Sequence, residues 1–195
     1  MDDTLYSNDW QVAEVISKNI RGYCSSVLDL PLSAARDLYH KYGTTLRGLL
    51  IEKRQLDIED YMKKAHDISS VKHLIQPDPA MHDMFSRSKV PLWIFTASTM
   101  EHVNDVLELI EARHFFEARI VACTSYEMGF GSKYEAAAYD MARAAAGRTG
   151  FGHEGGVGSV GHQDLPDPSN CYFADDSWKN IERAKTCGFV LHLFR

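Results

Sequence analysis

The apolar positions of this chain fall into two textures. Between residues 9 and 87 they recur at three- and four-residue steps, as one face of a helix requires: Val12, Val15 or Ile16, Ile20 and Tyr23 share one stripe. Ser33 is placed to cap a helix over Ala34–Tyr42, and Gly43 to stop it. The run Asp57-Ile-Glu-Asp opens a further helix with acids at its positive end, and Pro77-Asp78-Pro79 starts a short one reaching Ser86. From Val90 onward, short apolar runs alternate with helical patterns. Strands are predicted at Val90–Phe95, Arg119–Cys123, Cys171–Ala174 and Phe189–Phe194. Helices are predicted from the capping-box spacing Ser98-Thr-Met-Glu101, over Tyr134–Ala146, and over Ser177–Cys187 before Gly188. Such alternation predicts an α/β class: a Rossmann-like parallel sheet, with the helical stretch inserted near its N-terminal end.

One segment fits neither texture. Seven of the fifteen residues from Gly147 to Gly161 are glycine, and no Lys-Ser/Thr pair follows to make a phosphate-cradling loop. Residues 147–168 are therefore expected to form a flexible loop within the core, because they carry too little apolar surface to offset the entropy of ordering.

Composition narrows the function classes. The chain has 195 residues, 45% hydrophobic and 25% charged, and a formal net charge of −6. That balance suits a globular domain with a real core and disfavours a general binder of nucleic acid or anionic membranes. The apolar runs fall far below the roughly 20 residues of a membrane span. The four cysteines are scattered without zinc spacing, as free thiols in a reducing compartment would be. The opening Met1-Asp2-Asp3 is acidic where a secretory signal is basic. A cytoplasmic location is expected, with a nuclear one also open, and oligomeric state is left undecided.

The candidate chemistry lies where an open α/β sheet binds ligands, beyond the carboxyl ends of its strands. Thr96 follows the first predicted strand, Lys133 lies in the loop after the second, and Asp175-Asp176 follow the third. Asp2-Asp3-Thr4 could join them only behind a further strand upstream. Carboxylates, a hydroxyl and a lysine on one edge suit Mg²⁺ and a phosphate group: hard oxygens for the ion, lysine and hydroxyl for the phosphate oxygens.

These residues, in order, resemble the four motifs of haloacid-dehalogenase (HAD) superfamily phosphohydrolases: Asp2-Asp3-Thr4-Leu5-Tyr6, Phe95-Thr96, Lys133, and Asp175-Asp176-Ser177-x-x-Asn180. Tyr39-His-Lys-Tyr-Gly43-Thr-Thr-Leu-Arg47-Gly48-Leu49 and Trp93-Ile-Phe-Thr96-x-Ser98-x-x-x-His102 are similar, more narrowly, to the pyrimidine 5′-nucleotidase branch. The resemblance implies a HAD-like core (1–8 and 88–195) carrying a helical cap (9–87). It also implies hydrolysis of a small phosphate ester, such as a nucleoside 5′-monophosphate, through an aspartyl-phosphate. Asp2 would then be the general acid/base. Thr96, Ala97, Ser98, Lys133 and Arg47 would hold the substrate, and Asp2, Asp175 and Asp176 would hold Mg²⁺.

Two departures qualify that implication. The first motif is Asp-x-Asp-x-Thr, and only x-Asp-x-Thr is present, so the nucleophilic Asp would stand immediately before Met1, at the end of a central strand missing from the chain. The expectation is an N-terminally truncated enzyme of impaired turnover. The alternative is a non-catalytic module that keeps ligand or partner binding; a receiver domain is disfavoured by the large helical insertion. Second, Tyr134 stands where the family's lysine is normally followed by proline.

Overall fold

The computed structural model describes residues 1–2, 4–6, 10–117, 119–126, 128–148 and 165–193. Asp3, in the first motif, lies outside them, as does most of the expected Gly-rich loop.

The helical stretch opens with α1 (Gln11–Ser26), α2 (Ala34–Tyr42), α3 (Thr45–Ile51), α4 (Ile58–Ala65) and α5 (Pro79–Ser86). Asp57 and Asp78 cap as their positions predict, accepting hydrogen bonds from the backbone N–H of Asp60 and Ala80. Ser33 does not: its backbone is already helical and its side chain makes no cap bond. Thr44 does the capping next door, accepting from the N–H of Arg47 and starting α3, a short helix that the apolar spacing alone does not mark.

The second texture gives β1 (Ile94–Thr96), α6 (Met100–Leu109), α7 (Arg113–Phe116), β2 (Ile120–Ala122), α8 (Ala136–Arg148), β3 (Tyr172–Asp175), α9 (Trp178–Thr186) and β4 (Val190–Leu193). The fold class is the expected one, mixed α/β with short parallel strands, compatible with a HAD-like core. β1 is half as long as its apolar run, because Pro91 has no N–H for a ladder and Val90 is exposed. The cap of α6 is Thr99, whose hydroxyl accepts from the N–H of His102, one residue later than the Ser98-to-Glu101 spacing predicts.

The strands pair as two separate two-stranded parallel sheets, β1 with β2 (Phe95 beside Val121) and β3 with β4 (Phe173 beside Leu191). Side chains bridge them. The rings of Phe95, Tyr139 and Phe173 meet with centroids 5.1 to 6.1 Å apart, so β1 and β3 face one aromatic cluster.

Packing divides the helices differently from sequence order. Tyr23, Cys24, Leu38, Leu46, Leu49 and Tyr61 build one core from α1 to α4, while Ile68, Ile75, Met81 and Phe85 pack with Val103, Val106 and Ile94 in another. Residues 68–85 thus lie against β1 and α6, not among α2–α4. One residue from the second texture, Phe130, enters the α1–α4 core.

Gly43 fixes the seam between them. It ends α2 with φ of 87°, and a Cβ there would lie 1.8 Å from Ser132 Oγ and 2.9 Å from Tyr134 Cγ. Gly43→Ala is expected to cost about 2 kcal/mol, the left-handed strain plus displacement of those side chains, measurable as a lowered urea midpoint.

Candidate active site

Three strand ends and the N-terminal turn converge on one edge. The turn is tight: the N–H groups of Thr4 and Leu5 both donate to the Met1 carbonyl, and Met1 and Tyr6 are buried. It docks on the end of β3 through Thr4, whose hydroxyl donates to Asp176 Oδ1 at 3.1 Å.

Asp175 is the last residue of β3 and almost fully buried. Its two oxygens are satisfied from both sides. Oδ1 accepts from the Ser177 N–H and from Asn180 Nδ2, each at 2.9 Å, and Oδ2 accepts from Lys133 Nζ at 2.6 Å. Burial alone would raise the carboxyl pKa. The Lys133 charge and these hydrogen bonds outweigh it and hold the group below its ordinary value. Lys133 is itself buried, its ammonium 5.6 and 5.7 Å from the ring centroids of Phe95 and Phe173.

Asp2 keeps a quarter of its side chain exposed. Its Oδ1 accepts from the Tyr6 hydroxyl at 2.5 Å and lies 2.8 Å from His102 Nε2. Burial pushes its pKa up, but the His102 hydrogen bond and charge, the amino terminus and Tyr6 pull it well below the usual carboxylate range. Asp2 is therefore an anion with a dedicated donor on either side. His102 is buried, and its Nδ1 has no hydrogen-bond partner among the described residues.

Thr96, also buried, ends β1 and accepts from the Ser98 N–H through its hydroxyl. Ala97 presents its carbonyl to the Thr124 hydroxyl at 2.7 Å, which ties this turn to the end of β2. Ser98 Oγ lies 3.4 Å from Nδ1 of His66, at the end of α4.

Lys133 and Asp175 are thus brought into direct contact, with Asp176 beside Thr4 and Asp2 beside His102. Arg47 is drawn elsewhere: it pairs with Glu135 at 2.7 Å and donates to the Gly129 carbonyl, and its Nε is buried without a partner among the described residues. His102, Asn180 and Thr4 stand in the motif strings, yet only contact reveals what they hold. His66 carries no sequence signal at all.

Carboxylate oxygens are the donor type that Mg²⁺ takes, but among the described residues no three His, Cys, Asp or Glu side chains stand together as a ready-made metal cage. No helix among those residues is long and apolar enough to cross a membrane.

No model of a protein family matches this chain. A curated protein of Saccharomyces cerevisiae, Phosphate metabolism protein 8, is similar at 22% identity over 209 aligned positions, covering 99% of this chain. The chain spans 60% of that relative's length.

Proposed function

We propose that this chain is a phosphomonoester hydrolase of the HAD type, acting on a small phosphate ester of the pyrimidine nucleoside 5′-monophosphate class. The observation that carries the reading is the buried Lys133–Asp175 contact braced by Ser177 and Asn180, with Asp176 and Thr4 alongside. A lysine kept at 5% exposure beside a strand-end carboxylate has no solvation role to play. It is suited to neutralise an incoming phosphoryl group. The similarity to a protein named for phosphate metabolism supports the same chemistry.

In this reading Thr96 and Lys133 hold phosphoryl oxygens, with Ala97 and Ser98 forming the turn beside them. Asp2, held as a carboxylate by Tyr6 and His102, is in the form that accepts a proton from attacking water. A bound phosphate dianion would raise its proton affinity, toward the form that protonates a leaving oxygen. Mg²⁺ would be held by Asp2, Asp175 and Asp176 with water completing its shell, the sparse protein ligation this ion favours, and would supply neutralisation of phosphoryl charge. A second reading, phosphate binding without turnover, is favoured by one observation: both oxygens of Asp175 are already satisfied by Lys133, Ser177 and Asn180.

Calorimetric titration with inorganic phosphate, with and without Mg²⁺, tests the shared core of both readings. Thr96→Ala is expected to weaken binding about tenfold, the worth of one hydrogen bond to a charged group. Unaltered affinity in that variant, or no phosphate binding by the wild type, would sink the assignment. Hydrolysis of an aryl phosphate separates the two readings. Turnover that is lost in Asp2→Asn supports the hydrolase, and phosphate binding without turnover supports the second reading.

A further inference from the structure

We propose that Glu135 and Arg47 are positioning residues for Lys133: Glu135 clamps the turn that presents the lysine, and Arg47 cancels the Glu135 charge that would otherwise repel a phosphate. The inference rests on the phosphomonoester reading and adds to it two groups that never touch the phosphate.

Lys133 lies inside a tight reciprocal turn. The Ser132 carbonyl accepts from the Glu135 N–H, and the Ser132 hydroxyl accepts from the Tyr134 N–H at 3.1 Å. Glu135 Oε2 reaches back to accept from the Ser132 N–H at 2.9 Å. Ser132 is 1% exposed, so no solvent stands ready to replace that last bond. The lysine leaves this turn to meet Asp175 Oδ2, and the turn sets where its ammonium can go. The other Glu135 oxygen, Oε1, accepts from Arg47 Nη2 at 2.7 Å, while Arg47 Nη1 donates to the Gly129 carbonyl in the same loop.

The Glu135 charge is felt in the interior that Lys133 occupies. Burial pushes the thiol of Cys123, one residue past β2, up to about 12; Lys133 pulls it down and Glu135 pushes it further up. A phosphate dianion drawn to Lys133 therefore meets the field of Glu135 as well, and Arg47 supplies the opposite charge at contact distance. As a stability device the pair is poorly built. Partly exposed ion pairs contribute little, and this one leaves Arg47 Nε buried with no partner among the described residues. What it secures is the placement and neutrality of Glu135.

The test is calorimetric titration of inorganic phosphate into the full chain, with urea midpoints measured alongside. Arg47→Met is expected to weaken phosphate binding about fivefold, because it bares the Glu135 charge, and in 1 M salt that difference should largely vanish. Glu135→Gln keeps an oxygen for the Ser132 N–H and removes the charge, so its affinity should equal or exceed that of the wild type. Combining Arg47→Met with Glu135→Gln should return affinity to within about twofold of the wild type. Glu135→Ala, which strands the Ser132 N–H, should weaken binding about tenfold although it removes the same charge. Asp105→Ala breaks the Lys72 ion pair outside the site and should leave affinity unchanged. If the Glu135→Ala chain does not fold, the salt-dependent loss in Arg47→Met and its rescue by Glu135→Gln still decide the matter. A loss in Arg47→Met that Glu135→Gln fails to rescue would mean that Arg47 meets phosphate directly, and would overturn the proposal. So would wild-type affinity in Arg47→Met or in folded Glu135→Ala, with only the urea midpoint lowered. In each case the phosphate site stands as long as Thr96→Ala still weakens binding. No phosphate binding by the wild type would remove both.

Discussion

Replacing Asp175 by alanine is expected to destabilise the fold by about 3–5 kcal/mol, because it strands the Lys133 ammonium in a site with almost no water. The two side chains are 6% and 3% exposed and 2.6 Å apart. The loss also releases the Ser177 N–H and Asn180, which Asp175 Oδ1 holds at the start of α9. The paired change Lys133→Met with Asp175→Leu should recover most of that stability, since an apolar pair of similar volume leaves no buried charge. It should also abolish phosphate binding. Urea unfolding of Lys133→Met, Asp175→Leu and the double closes the cycle. If Asp175→Ala unfolds at the wild-type midpoint, the pair is solvated and the proposed phosphate lysine is not held as described.

The second large effect is set by pH. Burial, with the neighbouring His102 charge, lowers the His66 pKa from 6.5 to about 4, Asp2 opposing weakly. In the unfolded chain His66 takes up its proton near 6.5, while the folded protein resists until about 4. The unfolded state binds more protons between these values, so stability is fully present above 6.5 and declines as pH falls toward 4. The decline should total up to about 3 kcal/mol. His66→Gln should flatten this limb. Below it a different limb takes over: Asp2 and Asp175 have depressed pKa values, and what they contribute is lost only as acid protonates them. Denaturant midpoints at pH 7, 5.5 and 4.5 resolve the first limb, and a wild-type midpoint independent of pH across that range would contradict the desolvation of His66.

What could be read in advance divides along chemical range. As caps, Gly43, Asp57 and Asp78 act within four residues of themselves, so sequence spacing suffices to place them. Local competition spoiled the finer assignments: Thr99 rather than Ser98 caps α6, Thr44 rather than Ser33 makes the cap beside α2, and Pro91 trims β1. The strand-end positions of Thr96 and Asp175 followed from the alternation of elements. Their partners did not. Asp2 meets His102 across 100 residues and Arg47 meets Glu135 across 88, and no periodicity encodes such pairings. Arg47, expected at a substrate phosphate, makes an ion pair with Glu135 that ties α3 to the loop that carries Lys133.

That loop has a mechanical identity of its own. Phe130 is rooted in the α1–α4 core, Gly129 and Glu135 are gripped by Arg47, and Ser132 and Tyr134 press on Gly43. The segment is covalently part of the α/β region yet physically fastened to the helices. Lys133 is thereby held from both sides, through its loop by the helices and through its ammonium by Asp175 of β3. Amide exchange in α3 and in residues 129–135 should then share one opening free energy, as two parts of a single lever.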